Sequence, residues 1–188
     1  AGRPKVGKSW LALQIAQAVA TGGQALGRTV TAGPALYLAL EDTPRRLKNR
    51  MQMQGWPVLP QGQGEFMNLG DFDDQIGPLS DRLSVDRLTD QMRSGGYRLV
   101  VIDTLSRAIR GDQNDADVMT RALSPLQKAA LEMNAVVLLI DHHRKNSLGD
   151  TDPILDLGGS VAKSGVCDCL WGLYREQGKA GAILHVLG

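Results

Sequence analysis

The sequence predicts an α/β fold: a mostly parallel twisted sheet with helices on both faces, and an antiparallel hairpin at the C-terminal end. Three observations carry this expectation. Nearly continuous apolar runs recur at residues 35–40, 99–102 and 135–140, as strands buried on both faces require. Helix-forming stretches separate the runs, as connections between parallel strands do. Each run ends on polar residues, namely Glu41 with Asp42, Asp103, and Asp141 with His142 and His143. In an open α/β sheet the ligand lies at those carboxyl ends.

The chain opens with Gly2-Arg3-Pro4-Lys5-Val6-Gly7-Lys8-Ser9, which matches G-x-x-x-x-G-K-[ST]. In such a loop Gly2 and Gly7 let the backbone curl so that successive N–H groups face a polyphosphate. Lys8 reaches the β- and γ-phosphates, and the Ser9 hydroxyl binds a magnesium ion. Residues 10–20, beginning at Trp10, form an apolar helix closed by Thr21-Gly22-Gly23. Its positive end points at the same anion. Residues 2–10 are therefore expected to bind a nucleoside triphosphate with Mg²⁺. A loop of this kind is launched by a hydrophobic strand. No residue precedes Ala1 and no initiator Met stands there, so the expectation is a fragment of a longer protein with its N-terminal strand missing.

The remaining elements follow in order. Residues 35–40 form a short strand ending at Glu41, and Thr43-Pro44 opens a helix to about Met53, with Asp42 as its expected cap. Residues 54–64 are rich in Gly, Pro and Gln and read as a loop. Residues 65–69 form a short strand, followed by an acidic connector with Asp71, Asp73 and Asp74. Residues 84–93 form an amphipathic helix, 99–102 a buried strand, 115–133 the longest helix and 135–140 another buried strand. Residues 144–157 are polar and without period. Residues 167–174 and 182–187 form a hairpin about Gln177-Gly178.

With 188 residues, 43% of them hydrophobic, the chain can bury one core, so residues 1–188 are expected to form a single domain. A net charge of +1 makes any nucleic-acid contact a local matter. No apolar run is long enough to span a membrane, and no targeting segment is recognisable. Cys167 and Cys169 share one strand face at spacing i, i+2, too close for an ordinary disulfide. His142, His143 and His185 supply no metal-ligand pattern with them. They read as core cysteines in a reducing cytoplasm.

The polar strand ends suggest roles. Asp103, after four apolar strand residues, has the form of an acid that holds Mg²⁺ opposite Ser9. Glu41 is the leading candidate to polarise an attacking water, with Asp42 its rival. His142 and His143 are placed to hydrogen-bond a γ-phosphate and respond to its loss. The plainer alternative is a pair of ordinary half-buried histidines.

The ordered set resembles the RecA-type ATPase core of the RepA-like plasmid and phage helicases. It comprises Gly2 to Ser9; Ala35 to Asp42 with Arg45 and Arg50; Val100 to Arg107; Asp141 to Lys145; and Gly158-Gly159-Ser160 through Asp168. The resemblance implies a RecA-like P-loop NTPase fold and an ATP- and Mg²⁺-dependent motor. It also implies a homo-oligomeric ring, usually hexameric, with ATP between subunits and single-stranded DNA in the channel. The roles of Lys8, Ser9, Glu41, Asp103 and the histidines agree with it. It offers Arg175, after the first hairpin strand, as an arginine finger acting in trans, against the reading as a surface arginine. Arg144 and Lys145 correspond to the channel loop, and Arg107 with Arg110 sit in the loop after Asp103. No aromatic residue in either segment would stack on bases, so these contacts would be electrostatic. Two other readings are a RecA/RadA-like recombination or regulatory ATPase without strand separation, and a non-catalytic fragment that keeps the fold.

Overall fold

The computed structural model describes residues 1–143, 162–175 and 181–188. Helix α1 (Lys8–Thr21) leads into a small ribbon of β1 (Gln24–Ala25) and β2 (Arg28–Thr29). Then come β3 (Ala35–Ala39), α2 (Pro44–Met53), β4 (Gly64–Asn68), α3 (Leu69–Gln75), α4 (Arg82–Gly95) and β5 (Leu99–Asp103). The short α5 (Leu105–Ala108) precedes α6 (Ala116–Met133), β6 (Val136–Ile140), α7 (Ala162–Val166), β7 (Leu170–Tyr174) and β8 (Ile183–Leu187).

Four strands pair in the order β4-β3-β5-β6, all parallel, and β7 pairs with β8 as an antiparallel hairpin. Side chains alternate across the sheet. Leu36, Leu38, Val100 and Ile102 point to one face, where they pack with residues of α3, α4 and α6. Ala35, Tyr37, Ala39, Leu99 and Val101 point to the other, against α1 and α2. All five positions of β3 and of β5 are buried, which explains why both strands read as unbroken apolar runs.

The acidic stretch after β4 is a helix, not a connector. Asn68 caps α3 through the Gly70 and Asp71 amides, and the Asp71 carboxylate accepts the Asn68 N–H in return. Phe72 supplies the buried anchor, and Asp71 sits in the first turn where the helix dipole favours a negative charge. Thr43, not Asp42, caps α2 by accepting the Arg46 amide. Cys167 and Cys169 precede β7 instead of lying in it; both are free, Cys167 half-buried and Cys169 exposed, so Cys169 is no core residue. Among the described residues no helix is long and apolar enough to cross a membrane.

The run at 135–140 departs from its expected full burial: Val136 is 59% exposed. Among the described residues, β6 pairs along its length only with β5 and β7 only with β8. Between them lies a groove of about 410 Å³ lined by Leu11, Ile15, Val136, Leu138, Trp171 and Leu184. Gly2 closes one end, bridged in parallel to both His142 and Leu173. Leu173 donates its N–H to the Ala1 carbonyl at 2.9 Å, and the Ala1 nitrogen donates to the Trp171 carbonyl at 2.5 Å.

The parallel bridges thus seat the first residue of the P-loop between the end of β6 and β7, at the mouth of this apolar groove.

Candidate functional site

Strand parity assembles the site. Residues 99, 101 and 103 share the face of β5 that meets α1, and Tyr37 shares the corresponding face of β3. Asp103 therefore lies under the P-loop helix, with the Tyr37 hydroxyl donating to its Oδ2 at 2.7 Å. The same hydroxyl is 3.4 Å from the Ser9 carbonyl. Burial pushes the Tyr37 phenol well above its usual range, so it stays a neutral donor. Burial also raises Asp103, while hydrogen bonds from Tyr37 and Ser9 work in the opposite direction.

The second carboxylate oxygen, Asp103 Oδ1, is buried with no hydrogen-bond partner. An orphaned buried acceptor beside the Ser9 hydroxyl fits a divalent cation. Magnesium takes one or two protein oxygens and completes its shell with phosphates and water, which matches this donor set. Among the described residues no group of three or more His, Cys, Asp or Glu is arranged as a metal site.

In the P-loop, Gly7 adopts φ 110°, a conformation that favours glycine. Gly2 is required for a different reason than curling. A Cβ there would stand 2.8 Å from the Leu173 carbonyl oxygen, so its bare backbone is what fits between β7 and the end of β6. Lys8 Nζ donates to the carbonyls of Gly2 at 2.7 Å and Arg3 at 3.0 Å, and lies 3.3 Å from His142 Nδ1. Burial lowers the Lys8 ammonium, opposed by the charges of Asp103, Glu41 and Asp141. Arg3, Pro4 and Lys5 are exposed, and Val6 is half-buried. Trp10 faces α2: the Arg50 guanidinium lies 5.8 Å from its ring centroid, and Gln54 donates to its carbonyl at 2.7 Å.

The acids after β3 have different surroundings. Asp42 forms ion pairs with Arg46 and Arg50 and is largely buried. Glu41 keeps a carboxylate that is 40% exposed, with Oε1 accepting the Thr104 hydroxyl at 3.0 Å and lying 3.7 Å from His142 Nε2. Ser106 hydrogen-bonds Thr104 at 2.9 Å. A carboxylate oriented at one oxygen and open to solvent suits a general base; one held by two guanidiniums does not. The two histidines part in the same way. His142 stands between Lys8 and Glu41, whereas His143 is buried with its ring 5.0 Å from that of Tyr174.

Lys8, Ser9, Asp103, Glu41 and His142 thus converge; Asp42, held by Arg46 and Arg50, stays close enough for its charge to raise Asp103 as well, and His143 turns toward Tyr174. Arg107 is exposed, while Arg110 is paired with Asp73 at 2.7 Å. Arg175 is exposed at the end of β7. Arg144 and Lys145 lie outside the described residues. Tyr37, Thr104 and Ser106, which do not stand among the expected residues, join this network through their hydroxyls. Tyr37 was discoverable as the single hydroxyl within an apolar run, on the parity that leads to Glu41.

Because the folded Asp103 pKa lies above its unfolded value, the stability that this group contributes is present at pH below about 3.9 and lost as pH rises through the folded value. Asp103→Asn is therefore expected to raise the thermal midpoint of the nucleotide-free domain at pH 7, by about 2–4 °C for each kcal/mol relieved. The gain should shrink as pH falls toward 4. Thermal scans at both pH values check it, and a lower midpoint in the variant at pH 7 would contradict it.

The AAA domain family model AAA_25 matches residues 1–147, a span that takes in the P-loop, Glu41, Asp103 and both histidines. The crystal structure of a KaiC-like protein from the hyperthermophilic archaeon Pyrococcus horikoshii OT3 is similar to this chain, with a TM-score of 0.63. Identity is 16%, and the match covers 99% of this chain and 74% of that one. At that identity the likeness concerns the fold. It agrees with a parallel sheet carrying helices on both faces and a C-terminal hairpin. The chain belongs to the AAA_25 family of AAA domains and has the RecA-like fold of a P-loop ATPase.

Proposed function

We propose that residues 1–188 form the Mg-ATP-driven motor domain of a cytoplasmic replicative DNA helicase of plasmid, phage or other mobile-element type. The observation that supports this reading best is the convergence of Lys8, Ser9, Asp103, Glu41 and His142 at the carboxyl ends of β3, β5 and β6. Lys8 neutralises the β- and γ-phosphates, with the backbone of residues 2–9 cradling them. Ser9 and Asp103 would hold Mg²⁺, which supplies charge neutralisation at the transferring phosphoryl group. Glu41, oriented by Thr104, takes the proton of the attacking water. His142, between Lys8 and Glu41, registers the γ-phosphate and its loss.

Assembly completes the site in this reading. Subunits associate into a hexameric ring, and Arg175 of one subunit enters the ATP site of the next as a finger. Single-stranded DNA in the channel meets Arg107, Arg144 and Lys145 through its phosphates. The pairing of Arg110 with Asp73 reduces the basic surface beside Arg107. Weaker DNA electrostatics there bears on both DNA-binding readings, the second being a RecA/RadA-like recombination or regulatory ATPase that does not separate strands. Strand displacement on a forked duplex distinguishes the two.

Lys8→Ala is expected to abolish tight nucleotide binding, measured with a fluorescent ATP analogue. Glu41→Gln should keep that binding while turnover falls about 10²-fold or more, as for loss of a positioned base. Normal turnover in Glu41→Gln together with loss in Asp42→Asn would reassign the base.

Turnover per subunit should rise with protein concentration and with single-stranded DNA, and the DNA effect should weaken as salt increases. Mixing Arg175→Ala with Glu41→Gln subunits should recover partial activity if the finger acts in trans. Full activity of Arg175→Ala alone returns that arginine to the surface, and a monomer that hydrolyses ATP at full rate excludes the ring motor.

A further inference from the structure

A buried ion pair lies directly behind the site. Lys163 on α7 is 3% exposed and donates to Asp141 Oδ2 at 2.6 Å. It also donates to Gln113 Oε1, between α5 and α6, at 3.3 Å. The other oxygen of the same carboxylate, Asp141 Oδ1, accepts the backbone N–H of His142 at 2.8 Å. Asp141 therefore works as a two-ended clamp. One end is fixed by an ammonium, and the other holds the peptide unit of the histidine that stands between Lys8 and Glu41.

We propose that Lys163 is a positioning residue for His142, acting through Asp141. The inference rests on the reading of His142 as the γ-phosphate-side group. Two arguments support it. Burying an ion pair contributes little net stability compared with an apolar pair of similar volume, so stability alone does not account for a charged pair at this position. Moreover, His142 reaches Lys8 and Glu41 at 3.3 and 3.7 Å, distances that a small rotation of its backbone would lose. The pair also ties α7 to the end of β6 across residues 144–161, so the placement of His142 depends on α7 as well as on the strand that carries it.

The test separates positioning from packing. Lys163→Met leaves a buried unpaired carboxylate and should lower both the thermal midpoint and kcat. The double variant Lys163→Met/Asp141→Leu removes both charges. Its thermal midpoint should return close to that of the unmodified protein, while kcat stays at least tenfold down and the Kd for a fluorescent ATP analogue changes less than threefold. The His142 ring resonances should shift in both variants by NMR. Recovery of kcat together with the midpoint, or unmoved His142 resonances, would overturn the proposal. His142→Ala serves as the control: unchanged turnover there sinks the phosphate-side role of His142, while the resonance shifts still decide whether Lys163 positions it.

Discussion

The register between β3 and β5 is the constraint on which the site depends. Tyr37 stands opposite Val101 and Ala39 opposite Asp103. A one-residue slip of β5 would turn Asp103, and one of β3 would turn Tyr37, to the face of α3, α4 and α6. Held in register, a phenol on one strand reaches a carboxylate two positions on along its neighbour, and both lie under the N-terminal turn of α1. The register is strongly specified because both strands are buried on both faces, so a slip would exchange two sets of core residues at once.

That placement works against stability for the sake of chemistry. Asp103 has a buried oxygen with no hydrogen-bond partner, and Lys8 has a desolvated ammonium held by carbonyls of its own loop. In the proposed reading both meet a ligand that carries the complementary charges, a polyphosphate with its divalent cation. Charged groups that lower stability in the free domain and become satisfied on binding are the expected signature of a functional centre. Tyr37, Thr104 and Ser106 limit the cost by supplying neutral hydrogen bonds that orient the acids without neutralising them.

The expectations that held and those that changed differ in kind. The parallel strands at 35, 99 and 136 onward, the P-loop helix and the long helix α6 all appear close to their expected bounds. The acidic stretch 71–74 became helix because a capping box and one buried phenylalanine outweigh a poor helical composition. Asp42 became an ion-pair partner because Thr43 was the better cap and two arginines lie one and two turns on. Cys169 moved to the surface because β7 begins one residue after it.

By itself the sequence determined what is written in contiguous residues: a phosphate-binding loop, apolar strands at their period, and acids at the strand ends where a ligand of such a sheet must lie. The tertiary structure decided which of two adjacent polar groups enters the site. His142 and His143 are equivalent in composition, and only the parity of β6 sends the first toward Lys8 and the second against Tyr174. The same holds for Arg110 on Asp73, 37 residues apart, and for Lys163 on Asp141, 22 residues apart. Such pairings have no local signal, because they arise when packing brings distant elements together and buried charges must find a partner.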